Sequence, residues 1–594
     1  MTSTEKTFQQ TRWSLDDLFP SSISPEYQQV RQELDSKVSV FEKGRPELKD
    51  ELKSERFLEM IALLEDILKL RSQLGAYAEL WFAENTQNQD AQTLVGQIQQ
   101  LDADIENRIL FFSLWWKELG DEHAKPLLDA SGDYRYWLEK MRALKPYTLS
   151  EPEEKIINIK DVTGMRALVT LYDSITNRYT FKIKVDGKEK ELTRGEIMSY
   201  VHQADADMRA AAYQEIYRVY KEQAPILGQM YQTLARDWRS EQLNLRKFKS
   251  PIAARNLFND IPDDVVSTML RVCQENTGIF QRYFKVKARW LKMPRLRRYD
   301  IYAPVAKSSK KYDFNSATHM VLDAFHEYDP QFAEMALRVF ESRHIDSEVR
   351  KGKQSGAFCA DVIPELTPWV LVNYNQQPED VATLAHELGH SIHDMLTSHH
   401  SAFTNHPCLP LAETASTFGE MMLVDKLLKE ESDEGVRRDM LFKQVSDSYA
   451  TIMRQAFFSL FEQQAHEMVL EGANVDQLSD AYFENLKKQF GDSLEIGEEF
   501  HWEWVSIPHF YHVPFYVYAY SFGQLLVLSL YRQYKQEGDS FKPRYKQILS
   551  AGGSKAPQQV LADAGIDIHK AEFWQGGFNV INELVNQLEN LTVK

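Results

Sequence analysis

The chain has 594 residues, enough for two or more lobes around sizeable cores. Hydrophobic residues make up 43% and charged residues 26%, a soluble globular balance rather than a disordered one. A formal charge of −18 argues against nucleic-acid binding, which needs a basic face.

Helical periodicity dominates the chain. Apolar residues recur at i, i+3 and i+4 over Phe57–Leu70, Ala91–Phe112, Glu196–Asp237 and Asp439–Leu470, each with a charged opposite face. One hairpin interrupts this pattern, from Tyr179 to Leu192, with Asp186-Gly187 as a type I′ turn. Thr193 and Glu196 then form a capping box that opens the next helix. The hairpin predicts a boundary near residue 195. Residues 1–195 would form an amino-terminal helical lobe and residues 196–594 a catalytic domain.

No apolar run is long enough to span a bilayer, and Phe522–Tyr531 reads as a buried helix. The polar, charged amino-terminal stretch predicts no signal peptide. Cys273, Cys359 and Cys408 are too few and too scattered for a disulfide framework, which points to a reducing cytoplasm.

Ahead of the most informative stretch, Trp369-Val-Leu-Val-Asn-Tyr374 is β-branched and aromatic and is bounded by Pro368 and Pro378. The segment 352–376 predicts an edge strand to which an extended peptide adds by main-chain hydrogen bonds. Gly356, Ala357 and Phe358 are its expected peptide-binding residues.

Residues 386–390 read His386-Glu387-Leu388-Gly389-His390, an H-E-x-x-H motif. Two imidazoles four apart share one helical face with Cβ atoms roughly 6 Å apart, so both rings can converge on one ion. Glu387 lies about 100° round the helix, where it can reach a metal-activated water without being a ligand. Asp380 is the expected N-cap, with Val381, Leu384, Ala385 and Leu388 as the apolar stripe.

A catalytic zinc needs a third protein ligand. Downstream stands Glu413-Thr-Ala-Ser-Thr-Phe-Gly-Glu420, opened by Pro410. Small residues after Glu413 would let this helix approach the first closely. Glu413 and Glu420 are seven apart and share a face, so one can bind the metal while the other orients a histidine. A metzincin arrangement is excluded, because it needs Gly at position 393 and His at 396 where the chain has His393 and Leu396. His393 reads as a hydrogen-bonded core histidine supporting the site rather than as a fourth ligand.

In combination, His386-Glu-x-Gly-His-x-x-His393 and Glu413 to Glu420 resemble the thimet-oligopeptidase-like zinc peptidases, and more closely their oligoendopeptidase F branch. Gly352 to Phe358, Thr367 to Tyr374 and Ile507-Pro-His509-Phe-Tyr-His-Val-Pro-Phe-Tyr516-Val-Tyr518-Ala-Tyr520 extend the resemblance from about residue 11 to about residue 580. The resemblance implies a mainly α fold: two mostly helical lobes around a deep substrate channel, with a small β-sheet next to the zinc helix. It implies one zinc per chain on His386, His390 and Glu413, Glu420 behind a ligand, and Glu387 as general base. It also implies His509, Tyr516 and Tyr518 as transition-state stabilisers. The expected activity is cleavage of internal bonds in short unfolded peptides, with no nucleic-acid or membrane partner. Two alternatives stand beside it. One is an exopeptidase of dipeptidyl carboxypeptidase type on the same fold. The other is a non-catalytic peptide-binding scaffold, disfavoured because Glu387 and the candidate ligands are intact.

Overall fold

Apolar residues at helical spacing make most of the chain helical, as a computed structural model describing residues 6–305 and 310–591 shows. Among the described residues the strands are short: β1 (Phe181–Val185), β2 (Lys188–Leu192), β3 (Leu296–Arg297), β4 (Ile345–Asp346), β5 (Phe358–Ala360), β6 (Trp369–Leu371) and β7 (Leu494–Glu495). The fold is mainly α with small sheets. No helix among the described residues is long and apolar enough to cross a membrane.

The chain forms two compact units, each discontinuous in sequence. The first comprises Met1–Pro146, Lys310–Glu430 and Gln533–Ile566; the second comprises Tyr147–Ser309, Glu431–Arg532 and Asp567–Lys594. The β1–β2 hairpin lies inside the second, so each unit draws on chain from both sides of residue 195 or close to it.

In the first unit, long helices Pro25–Lys43, Ser54–Glu84 and Gln89–Glu118 bury Val38, Phe41, Phe57, Phe112 and Trp116 in one core. A three-stranded sheet has the order β4-β6-β5, with β4 parallel and β5 antiparallel to β6. This corrects the expected edge strand at Trp369–Tyr374. Strand β6 is central, and its three residues are all buried, as a doubly flanked strand requires. The edge strands are β4, which is buried, and β5, whose residues are half-buried. Lys353, whose side chain is fully buried, ties the segment before β5 to the sheet, donating from Nζ to the carbonyl oxygens of Asp346, Glu348 and Val372.

In the second unit, the hairpin has the expected turn: Asp186 and Gly187 both take positive φ, 52° and 76°, as type I′ requires. Thr193 and Glu196 form the capping box. The helix expected over Glu196–Asp237 is broken into Arg194–Val201 and Ala206–Arg239. Asp205 accounts for the break. Its side chain accepts hydrogen bonds from the amides of Asp207 and Met208, starting a new helix where apolar spacing alone reads as continuous. The expected helix over Asp439–Leu470 runs as Glu434–Ser448 and Arg454–Leu470, joined by a π turn at Tyr449–Met453. The parallel pair β3–β7 has two residues per strand, too short for periodicity to reveal.

Candidate metal centre

The motif helix spans Pro378–Thr397. Its N-cap is Gln377, not Asp380, because Pro378 occupies the first helical turn and holds the preceding residue extended. Asp380 instead serves from inside the turn, where its carboxylate accepts from the amides of Gln377 at 2.9 Å and Asn375 at 2.7 Å. Val381, Leu384, Ala385 and Leu388 are buried as expected.

Leu409–Ala412 makes one turn, Glu413 ends it, and the glutamate helix Thr414–Glu430 follows. The two long helices meet at Gly389. A Cβ there would lie 2.6 Å from Ser416 Cα and 2.8 Å from the Ala415 carbonyl oxygen, so only glycine permits the contact. Gly419 repeats the device from the other side: a Cβ there would lie 3.1 Å from the Phe325 ring and 3.2 Å from the Ala385 carbonyl oxygen. This close packing carries Glu413 and Glu420 to the histidines.

His386 Nε2 lies 3.3 Å from Glu413 Oε2, His390 Nε2 lies 3.5 Å from the same oxygen, and the two Nε2 atoms are 3.2 Å apart. A tetrahedral zinc with bonds of about 2.0–2.2 Å has ligand–ligand edges of roughly 3.3–3.6 Å. The three donors already stand at close to that spacing. Ser416 Oγ donates to Glu413 Oε2 at 2.8 Å and fixes the carboxylate. His386 Nδ1 is hydrogen-bonded to Glu420, which leaves its Nε2 lone pair facing Glu413 and His390.

The electrostatics agree with a centre built for a cation. Burial opposes charge on His386, yet Glu413 and Glu420 outweigh it and push its pKa up to about 10. Burial likewise opposes charge on Glu413, but His386 and His390 hold its carboxyl down at about 2. Burial pushes His390 down to about 4. Glu387, 6% exposed, is pushed up to about 7 by burial against the pull of His386. The donor set of two neutral-capable imidazoles and one carboxylate fits zinc.

His393 is buried, with its pKa lowered to about 4 by burial, and its ring meets the backbone at Ala412 and Leu549. Gly356, in the left-handed region at φ 83°, and Ala357 lead directly into β5, which begins at Phe358.

In the second unit, His509 Nε2 lies 3.2 Å from the Tyr520 hydroxyl, and the Tyr516 ring lies parallel to His509 at 6.2 Å. Tyr518 is fully buried, and its hydroxyl accepts from Asn259 Nδ2 at 3.0 Å. Tyr511 is buried and stacks on Tyr172 at 3.8 Å. The partly exposed tyrosines beside His509 are therefore Tyr516 and Tyr520. Tyr520 stands in the motif read from the sequence but was not among its expected stabilisers, and Ser416 was not singled out. The i+3 spacing of Ser416 from Glu413 was the available signal for the latter.

Family models match two stretches of the chain: Peptidase family M3 over residues 199–580 and Oligopeptidase F over residues 115–181. Oligopeptidase PepF of Bacillus subtilis is 26% identical over 98% of this chain and 87% of its own length. Group B oligopeptidase PepB of Streptococcus agalactiae is 27% identical over 91% of each. Among solved structures, a candidate peptidase from Chlamydophila abortus superposes with a TM-score of 0.87 at 24% identity, over 98% of each chain. Oligoendopeptidase-F from Enterococcus faecium does so with a TM-score of 0.70 at 23% identity, over 94% of this chain and 99% of its own. These two structural likenesses concern the fold. The M3 model covers more than half of the chain and includes every proposed metal ligand, and the chain belongs to peptidase family M3.

Proposed function

We propose that the chain is a zinc-dependent endopeptidase that hydrolyses internal bonds of short unfolded peptides. The observation that carries this reading is the mutual spacing of the His386, His390 and Glu413 donor atoms, 3.2–3.5 Å, with buried Glu387 beside them. Those three residues would hold one zinc, with Glu420 orienting His386 and His393 packed behind. When bound, zinc polarises the scissile carbonyl and makes a nucleophilic water available near neutral pH.

Glu387 takes a proton from the attacking water and returns it to the leaving amine. Its place beside the ligands and its near-complete burial suit a group that must both accept and donate a proton. His509 and Tyr516 are assigned as donors to the oxyanion, each worth roughly 3–4 kcal/mol by analogy with comparable donors. Tyr518, expected from the resemblance as a stabiliser, is buried against Asn259 and would instead hold this segment. The free edge of β5, entered through Gly356, Ala357 and Phe358, would take an extended peptide by main-chain hydrogen bonds. Recognition of backbone favours broad sequence tolerance, in keeping with the oligopeptidase names of the relatives. A reducing cytoplasm suits its three free cysteines.

The test is a peptide of about eight residues blocked at both ends, with products mapped by mass spectrometry. Cleavage at an internal bond is expected. Cleavage only when an end is free would overturn endopeptidase action in favour of an exopeptidase.

A further inference from the structure

The second unit contains a buried polar cluster that the proposed reaction does not use. Arg298 is 1% exposed, and its Nη2 donates to Glu503 Oε1 at 2.8 Å. Arg454 Nη2 donates to the same oxygen at 3.2 Å, and Glu503 is itself 1% exposed. Among the described residues, the acidic partners of both guanidiniums end at this one carboxylate. Two cations sharing one anion leave an excess positive charge at this cluster, buried at its Arg298 end and partly open at Arg454.

The hydrogen-bond balance is uneven in the same direction. Nε and Nη1 of Arg298, Nε of Arg454, the hydroxyls of Tyr302 and Tyr482, and Nε2 of Gln489 are all buried without a hydrogen-bond partner among the described residues, although Arg298 lies over the Phe500 ring and Arg454 over that of Phe458. Against these donors, the same cluster contains Glu503 Oε2 as an unpartnered acceptor. The groups belong together: the Tyr302 ring lies 6.5 Å from that of Tyr449, whose hydroxyl donates to Gln489, and the Phe458 ring lies 6.4 Å from that of Tyr482 and 4.9 Å from the Arg454 guanidinium. Unpartnered buried groups in a native interior call for an unseen water or ion. Water brings donors as well as acceptors and no charge. An anion brings acceptors only and cancels the excess positive charge.

Burial also limits the size of the guest. With Arg298 and Glu503 almost inaccessible, a peptide carboxylate would have to carry its chain into the interior. Arg454 is the open side, with 30% of its side chain exposed. It directly follows the π turn Tyr449–Met453, a backbone irregularity that often marks a functional position.

We propose that Arg298, Arg454, Tyr302 and Tyr482 bind a small monovalent inorganic anion of halide type inside the second unit. The test uses the purified full chain and two readouts. Crystals soaked in bromide are examined for anomalous scattering, and Tm is measured in sodium chloride against sodium gluconate at equal ionic strength. A bromine peak between Arg298 and Arg454 is expected, with a higher Tm in chloride. Chloride at ten times its dissociation constant raises the folding constant about elevenfold. Tyr482→Phe, or Tyr302→Phe if the first does not fold, should shrink the chloride-dependent rise while leaving Tm in gluconate close to wild type. Bromine peaks only elsewhere, an ordered water at this position, or equal Tm in the two salts would overturn the proposal. A chloride-dependent Tm without the peak would overturn it as well.

Discussion

His386 stands between two carboxylates with different tasks. Glu413 faces Nε2 and is placed to share a cation, while Glu420 holds Nδ1 and sets which nitrogen carries the proton. Glu420→Ala should therefore weaken zinc binding about 10–100-fold without removing a ligand. Competition with a chelating dye measures this; unchanged affinity would mean that His386 needs no support. At this scale the sequence was highly legible. The spacing of His386, His390, Glu413 and Glu420 follows helical geometry, so both carboxylates were expected near the histidines. The i+3 spacing of Ser416 from Glu413 was a signal left unused, whereas the burial of Tyr518 against Asn259 was not legible, because it depends on a neighbour far away in the chain.

Between elements, the decisive contact is glycine against backbone. Gly389→Ala would drive a methyl group into Ser416 Cα, and backbone cannot yield as a flexible side chain does. Overpacking of this kind costs about 1–3 kcal/mol. It should also separate the two helices that hold the ligands, so a lower Tm and weaker zinc binding are expected together. Calorimetry with metal titration checks both, and a variant with native Tm and affinity would refute the close-packing account. Element boundaries were less legible than site residues. Asp205 splits a helix that apolar spacing reads as one, and β5 rather than β6 stands at an edge of the sheet. Strand order depends on long-range pairing, which no local pattern encodes.

Over the whole molecule, stability and metal binding should be linked. On the proposed reading zinc would bind the folded donor set, which the unfolded chain lacks, so chelation should lower Tm and added zinc restore it. A second linkage involves protons. Lys287 is buried, donates to the Ile301 carbonyl oxygen at 2.6 Å, and has its pKa lowered to about 7, chiefly by burial. Between about pH 7 and its ordinary value of 10.5, the unfolded chain binds a proton there that the folded chain does not. This group alone makes stability rise with pH across that window, and below pH 7 its full cost is present. Lys287→Met should remove that slope, which denaturant titrations at pH 7 and pH 9 would reveal. An unchanged slope would show that Lys287 stays protonated when folded. The family and mainly helical fold were legible from scattered motifs across the chain, whereas the discontinuous make-up of the two units was not.

On the proposed mechanism Glu387 does the proton transfer at a centre formed by His386, His390 and Glu413. The most direct measurement compares wild type with Glu387→Gln on one blocked peptide, with zinc content matched. The account predicts full zinc occupancy and a rate about 10²–10⁴-fold lower in the variant. Cleavage by the zinc-loaded variant at near the wild-type rate would contradict it.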